Sequence, residues 1–200
     1  MQSLNQFEEL VDHVYGVFLH SSSGLDYLLK NFHKVQASTI QDLRKTDPKR
    51  ANLKYLDSLA MTYGKGDPSD PASIELHRCT QGDFKARNSK SGVNQKFLGN
   101  MALVTLYQYW EDFHRSNIAA EYAIDKNQVV SPIMGDIRLI RISIVHHAGI
   151  ALKKIEKCQL LNWYKEGDDI FIDDEKFQEV VLKIKQWLKF ARINGVQGSA

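Results

Sequence analysis

The spacing of apolar residues constrains this chain more than any other feature. Along most of its 200 residues they recur at every third or fourth position. That period puts them on one side of a helix and does not fit the strict alternation of a half-buried strand. Leu4, Phe7, Leu10, Val11, Val14, Val17 and Phe18 form the first stripe. Ser21, Ser22, Ser23 and Gly24 are expected to interrupt it. Leu25, Leu28, Leu29, Phe32, Val35, Thr39 and Leu43 then resume the pattern, and Asp47-Pro48 should stop it, because the residue before a proline avoids helical backbone. A shorter helix is expected within residues 51–61.

The period fails between residues 63 and 95. Gly64, Gly66, Pro68, Pro71, Gly82 and Gly92 stand there among polar residues, which predicts a long polar loop or insertion. Within it, residues 73–79 alternate and suit a short strand. Helical spacing returns at residue 94 and runs to about 122, through Leu98, Met101, Ala102, Thr105, Tyr109 and Phe113. Ile133, Ile137, Ile140, Ile144, Ala148, Leu152 and Ile155 predict the most apolar helix, and Asp173 or Asp174 can cap a last one that buries Phe177, Val180, Val181, Ile184, Trp187 and Leu188. The expected fold is an all-α bundle of about five helices in a single domain, 1–200, with the 63–95 insertion holding a short β segment.

Composition narrows the function classes. Twenty-six Lys and Arg against 24 Asp and Glu leave a net charge of +2, so the chain is neither a basic tail nor an acidic disordered segment. A local basic patch for RNA is still compatible with that total. The two cysteines, Cys79 and Cys158, cannot build a disulfide framework or a zinc cluster and are expected as reduced thiols. No leader sequence and no membrane span are read in the sequence, and a cytoplasmic location is expected. No phosphate-cradling glycine loop, zinc helix or nucleophile elbow is present, and neither a cofactor nor a metal is expected.

The residues that carry chemistry lie in residues 135–147, Gly-Asp-Ile-Arg-Leu-Ile-Arg-Ile-Ser-Ile-Val-His-His. Two arginines, Arg138 and Arg141, and two histidines, His146 and His147, sit in the most apolar helix. An unpaired buried arginine is costly, so these groups should face a cleft, a partner or a carboxylate. One expectation is that Arg138 and Arg141 pair with Glu111 or Asp112 on the preceding helix, as in a plain helical scaffold.

Arg141, four intervening residues and His146 resemble the Arg-x4–6-His motif of HEPN domains, all-α domains of prokaryotic toxins, abortive-infection systems and some RNases. The upstream run Tyr109-Trp110-Glu111 is similar to the aromatic-Glu helix that often packs beside that motif. The resemblance covers about half of the chain, residues 94–188, and Ile142 departs from it, because a polar residue often follows the motif arginine. It implies a metal-independent endoribonuclease in a toxin–antitoxin or phage-defence setting. Arg141 would stabilise the scissile phosphate and His146 would move protons. Arg138, Ser143, His147 and Glu111 would support them, His147 as an alternative base and Glu111 by holding an arginine. The implied partners are the RNA substrate, a second copy of the chain, and an antitoxin or nucleotidyltransferase. A non-catalytic module that binds RNA, a nucleotide or a partner protein is the alternative.

The residue types suit that chemistry. RNA is cleaved without metal when its 2′-hydroxyl attacks the adjacent phosphorus, which leaves a 2′,3′-cyclic phosphate and a 5′-hydroxyl. Histidine titrates near neutrality and moves the protons, while the arginine fork matches a phosphate. DNA lacks the attacking group. At about 100° per residue, Arg141 and His146 stand about 140° apart around one helix. Two copies crossing at a two-fold axis bring them together, which agrees with the homodimer that the resemblance implies.

Overall fold

A computed structural model describes residues 1–67 and 69–197. The fold is mainly α with one small antiparallel sheet. In chain order the elements are α1 (Gln2–Thr46), α2 (Leu53–Ser58), β1 (Ala60–Lys65), β2 (Ile74–Thr80), α3 (Gln81–Asn88), α4 (Val93–Tyr109), α5 (Arg115–Glu121), α6 (Pro132–His146) and α7 (Asp174–Asn194). A π-helical turn, Trp110–His114, joins α4 to α5. The backbone contacts gather into two compact units, Met1–Ser21 with Lys96–Ala200, and Ser22–Gln95.

The first unit holds the larger core. Leu4, Phe7, Val11 and Phe18 of α1 meet Leu103 and Leu106 of α4, Ile133, Ile137, Ile140 and Ile144 of α6, and Phe177, Val180, Ile184 and Leu188 of α7, all buried. Aromatic pairs knit them: Phe18 stacks on Phe177 with centroids 4.7 Å apart, and Trp110 meets Trp187 edge-on at 5.3 Å. In α1, α6 and α7 these are the apolar stripes of the sequence, turned inward as helical spacing requires. In α4 and the turn after it the expected face is displaced, with Leu103, Leu106 and Trp110 buried and Thr105, Tyr109 and Phe113 exposed.

The second unit contains the rest of α1, α2, the β1–β2 hairpin and α3. Leu56 and Phe84 are buried, and Phe84 packs on Phe32 at 4.8 Å. The hairpin pairs Met61 with Cys79 and Tyr63 with His77, with an irregularity between Tyr63 and Gly64.

The structure corrects three expectations. Ser21–Gly24 does not interrupt α1, which is a single helix of 45 residues. Serine and glycine weaken a helix by only about 0.5–1 kcal/mol each relative to alanine, too little to break a helix whose first stripe is buried. Gln95 also donates to the Ser22 carbonyl at 3.3 Å within the second unit. Residues 63–95 are not a long loop: β1, β2 and α3 order much of the segment. Helix α3 starts on a capping box, with Thr80 and Asp83 each bonded to the other's backbone amide, a Thr-x-x-Asp signal in the sequence. The apolar helix predicted over 133–155 ends at His146. Ala148 and Gly149 turn the chain away through left-handed backbone, with φ of 52° and 83°. Ile155 is buried from a separate 3-10 turn, Lys153–Lys157. Among the described residues, no helix is long and apolar enough to cross a membrane.

Candidate functional site

Helix α6 carries the motif, and its surroundings fix its position. Pro132 opens the helix, where its missing N–H costs nothing. Asp136 points inward. Its buried carboxylate accepts the successive amides of Gln159, Leu160 and Leu161 at 2.6–3.0 Å. That ties the segment after the 3-10 turn to the first half of α6. Ser143 is fully buried, donating to the Leu139 carbonyl at 3.4 Å and accepting the Leu152 amide at 3.1 Å. It thereby anchors the chain that leaves α6 and lies in the packed interior.

Arg141 is half-buried between α6 and α4. One terminal nitrogen donates to Gln108 Oε1 at 3.1 Å, and Gln108 in turn donates to the Asp112 carboxylate at 2.6 Å. The guanidinium carbon lies 5.8 Å from the centre of the Tyr107 ring, a cation–π distance. Arg141 Nε is buried with no hydrogen-bond acceptor. The guanidinium is thus positioned by a neutral amide and an aromatic face and carries an unused donor.

The expected ion pairs from Arg138 and Arg141 to Glu111 or Asp112 do not form. Glu111 holds an arginine, but it is Arg115 at 3.2 Å, and it also binds Lys126 at 3.0 Å. Burial pushes the Glu111 carboxyl up, and Lys126 and Arg115 more than reverse that and hold it below its ordinary value. Arg138 is exposed, as are His146 and His147. His146 is the last residue of α6, where a cation suits the negative end of the helix, and His147 follows as its C-cap. Arg141 and His146 lie five residues apart on this one helix, which separates them by about 7.5 Å along its axis. Within one chain they do not share a face.

A cleft of about 180 Å³ opens beside Tyr107, the ring that carries Arg141. Tyr107, Glu111, Arg115, Ser131, Gly135 and Arg138 line it. The charges of Arg138, Arg115 and Arg141 all act on the Tyr107 hydroxyl, which burial and then Glu111 hold above its usual value. Tyr107, Gln108 and Ser131 belong to this site although residue spacing did not single them out as functional. Two signals were available: Gln108 precedes Asp112 by four residues and Tyr107 precedes Glu111 by four, the spacing that stacks side chains along one helix face.

Comparison with protein-family models, with curated proteins and with solved structures gives no match.

Proposed function

We propose that this protein is a metal-independent endoribonuclease of HEPN type, acting as a homodimer, with Arg141 stabilising the scissile phosphate and His146 moving the protons. The observation that carries this reading is the state of Arg141. It is half-buried, oriented by Gln108 and Tyr107, paired with no carboxylate, and left with a free Nε donor. A structural arginine at such a depth is expected in an ion pair, because an uncompensated charge there is expensive. A phosphate oxygen would satisfy the idle donor. The exposed His146 at the end of α6 is open to a substrate and to the equivalent helix of a second copy. The resemblance of the Arg-x4-His spacing to HEPN domains supports the same reading and suggests a toxin or phage-defence setting.

The test is incubation of the full chain with single-stranded RNA in EDTA, with Arg141→Ala and His146→Ala alongside. Cleavage to 2′,3′-cyclic phosphate ends is expected from the wild type and from neither variant, and the matching DNA should stay intact. Cleavage that needs magnesium, or that survives His146→Ala, sinks the mechanism. A second reading, a non-catalytic module that binds RNA, a nucleotide or a partner protein, is favoured by Ile142. This half-buried apolar side chain follows Arg141 and offers nothing to orient a phosphate or the histidine. Binding of RNA with no cyclic-phosphate product under any condition decides for it.

A further inference from the structure

The cleft beside Arg141 contains a second group without a partner. Ser131, which precedes α6, is 8% exposed, yet its hydroxyl caps no amide and has no hydrogen-bond partner. N-cap serines ordinarily satisfy a first-turn amide. Here the amides of Ile133 and Met134 keep the free donor character of a helix start, and Pro132 contributes none. We infer that this cleft is a second phosphate site, which binds the phosphodiester next to the one at Arg141 through Ser131, the first turn of α6 and Arg138. The inference rests on the reading of the protein as one that binds RNA.

Helix geometry builds the site. Ser131, Gly135 and Arg138 are four and seven residues apart, so they share one face of α6. Gly135 leaves that face open: a Cβ there would meet no atom within 4 Å. Side chains on a helix lean toward its N-terminus, which carries the Arg138 guanidinium over Gly135 toward Ser131. Arg138 therefore leans toward the positive end of the helix past Gly135, with Met134 beside it in the cleft wall. The carboxylate in the cleft does not make it repel an anion. Glu111 is bound by both Arg115 and Lys126, so these three leave one positive charge, and Arg138 adds another. Tyr107 both lines the cleft and carries Arg141 on its ring, so it links the two sites. Arg138 and Arg141 are separated by about 4.5 Å of helix rise, which suits two neighbouring charges of one strand.

The experiment has two arms on the full chain. In the first, ¹⁵N-labelled protein is titrated with inorganic phosphate. The amides of Ile133, Met134 and Gly135 are expected to shift, and the shift should vanish in Arg138→Gln and weaken in Ser131→Ala. In the second, binding of a 2′-O-methyl RNA pentamer, which cannot be cleaved, is measured against salt. Arg138→Gln should weaken it about fivefold to tenfold and reduce the slope of log affinity against log salt by about 0.7, with partial recovery in Arg138→Lys. Silent amides at the start of α6, or a pentamer affinity and salt slope unchanged in Arg138→Gln, overturn the inference. Failure of the underlying reading looks different: phosphate shifts those amides but the wild-type protein does not bind the pentamer, and the inference in this form falls with it. A protein that cleaves RNA through Arg141 and His146 but ignores Arg138→Gln loses the second site alone.

Discussion

Two polar clusters in this molecule are built in opposite ways. In the second unit, Gln36 is 2% exposed and fully used: its amide donates to Asp57 at 3.0 Å and to Gln81 at 2.9 Å, and its carbonyl accepts Lys85 at 3.1 Å. Lys85 also pairs with Asp57 at 2.6 Å, so the network closes on itself. On the α4–α6 side of the first unit, Arg141 Nε and Ser131 Oγ are buried and idle, and Arg138 faces a cleft. Buried polar groups are normally satisfied, because leaving one unmade costs about 1–3 kcal/mol. A closed network serves stability. An open one forgoes that stability, and the proposed function assigns its idle donors to a phosphate.

The largest effect that sharpens this contrast is Arg141→Ala. Under the proposed function, RNA cleavage should fall by about 10²–10³-fold, the usual loss when one donor to a developing oxyanion is removed, while the melting temperature changes little. Product analysis and a thermal scan on the same sample check both halves. A large drop in stability with the activity retained would move Arg141 into the structural class. Asp136→Ala is the opposite control within the same helix. It deprives three backbone amides of their acceptor and should destabilise the protein by about 3 kcal/mol, read from urea unfolding. Gln36→Leu in the closed network should cost about 1–2 kcal/mol and leave RNA cleavage untouched, because it leaves Lys85 and Asp57 paired but strips each of one bond.

The smallest expected effect is on acid stability. Hydrogen bonds from Lys85 and then Gln36 hold the Asp57 carboxyl below its ordinary value. A depressed carboxylate contributes stability that is present above the unfolded value, about 3.9, and is lost as the pH falls through the folded one. Melting temperature measured from pH 7 down to pH 3 should therefore drop less steeply in Lys85→Met than in the wild type. An unchanged profile would show that the closed network does not depend on its charges.

The helices and the motif were legible in the sequence for different reasons. Periodicity located α6 and α7, because the apolar stripe that shapes each helix is the stripe it buries. For α4 and the turn after it, periodicity found the helix but not its inner face, which is Leu103, Leu106, Tyr107 and Trp110, while Thr105, Tyr109 and Phe113 are exposed. It misjudged the Ser21–Gly24 stretch, where local propensity argued for a break but its cost is too small to end the helix. It also carried α6 past its end. The isoleucine spacing continued by chance through Ala148 and Gly149, whose left-handed backbone stops the helix. Arg141 and His146 could be named from spacing. Gln108 and Tyr107 could not, because they approach α6 from α4 and only the fold brings them there. Ser131 adjoins α6 in the sequence, but a serine before Pro132 reads as an ordinary helix cap. Asp136 and Ser143 stand in the same motif as Arg141, yet they act on the backbone. Nothing in their residue types distinguishes the two roles.

The wide turn Trp110–His114 sets the timing of one helical face against another. A π turn takes up one residue more than an α turn, so everything beyond it is rotated by about 100° relative to a continuous α-helix. Glu111 lies within the wide turn and Arg115 begins the helix after it. Glu111 and Arg115 pair at the ordinary spacing of four, while the direction in which Arg115, Ile118 and Ala119 face the rest of the unit follows from that extra residue. Deleting a single residue there would leave a longer and more regular helix while swinging Arg115 out of the cleft, so a change that improves the secondary structure would dismantle the site.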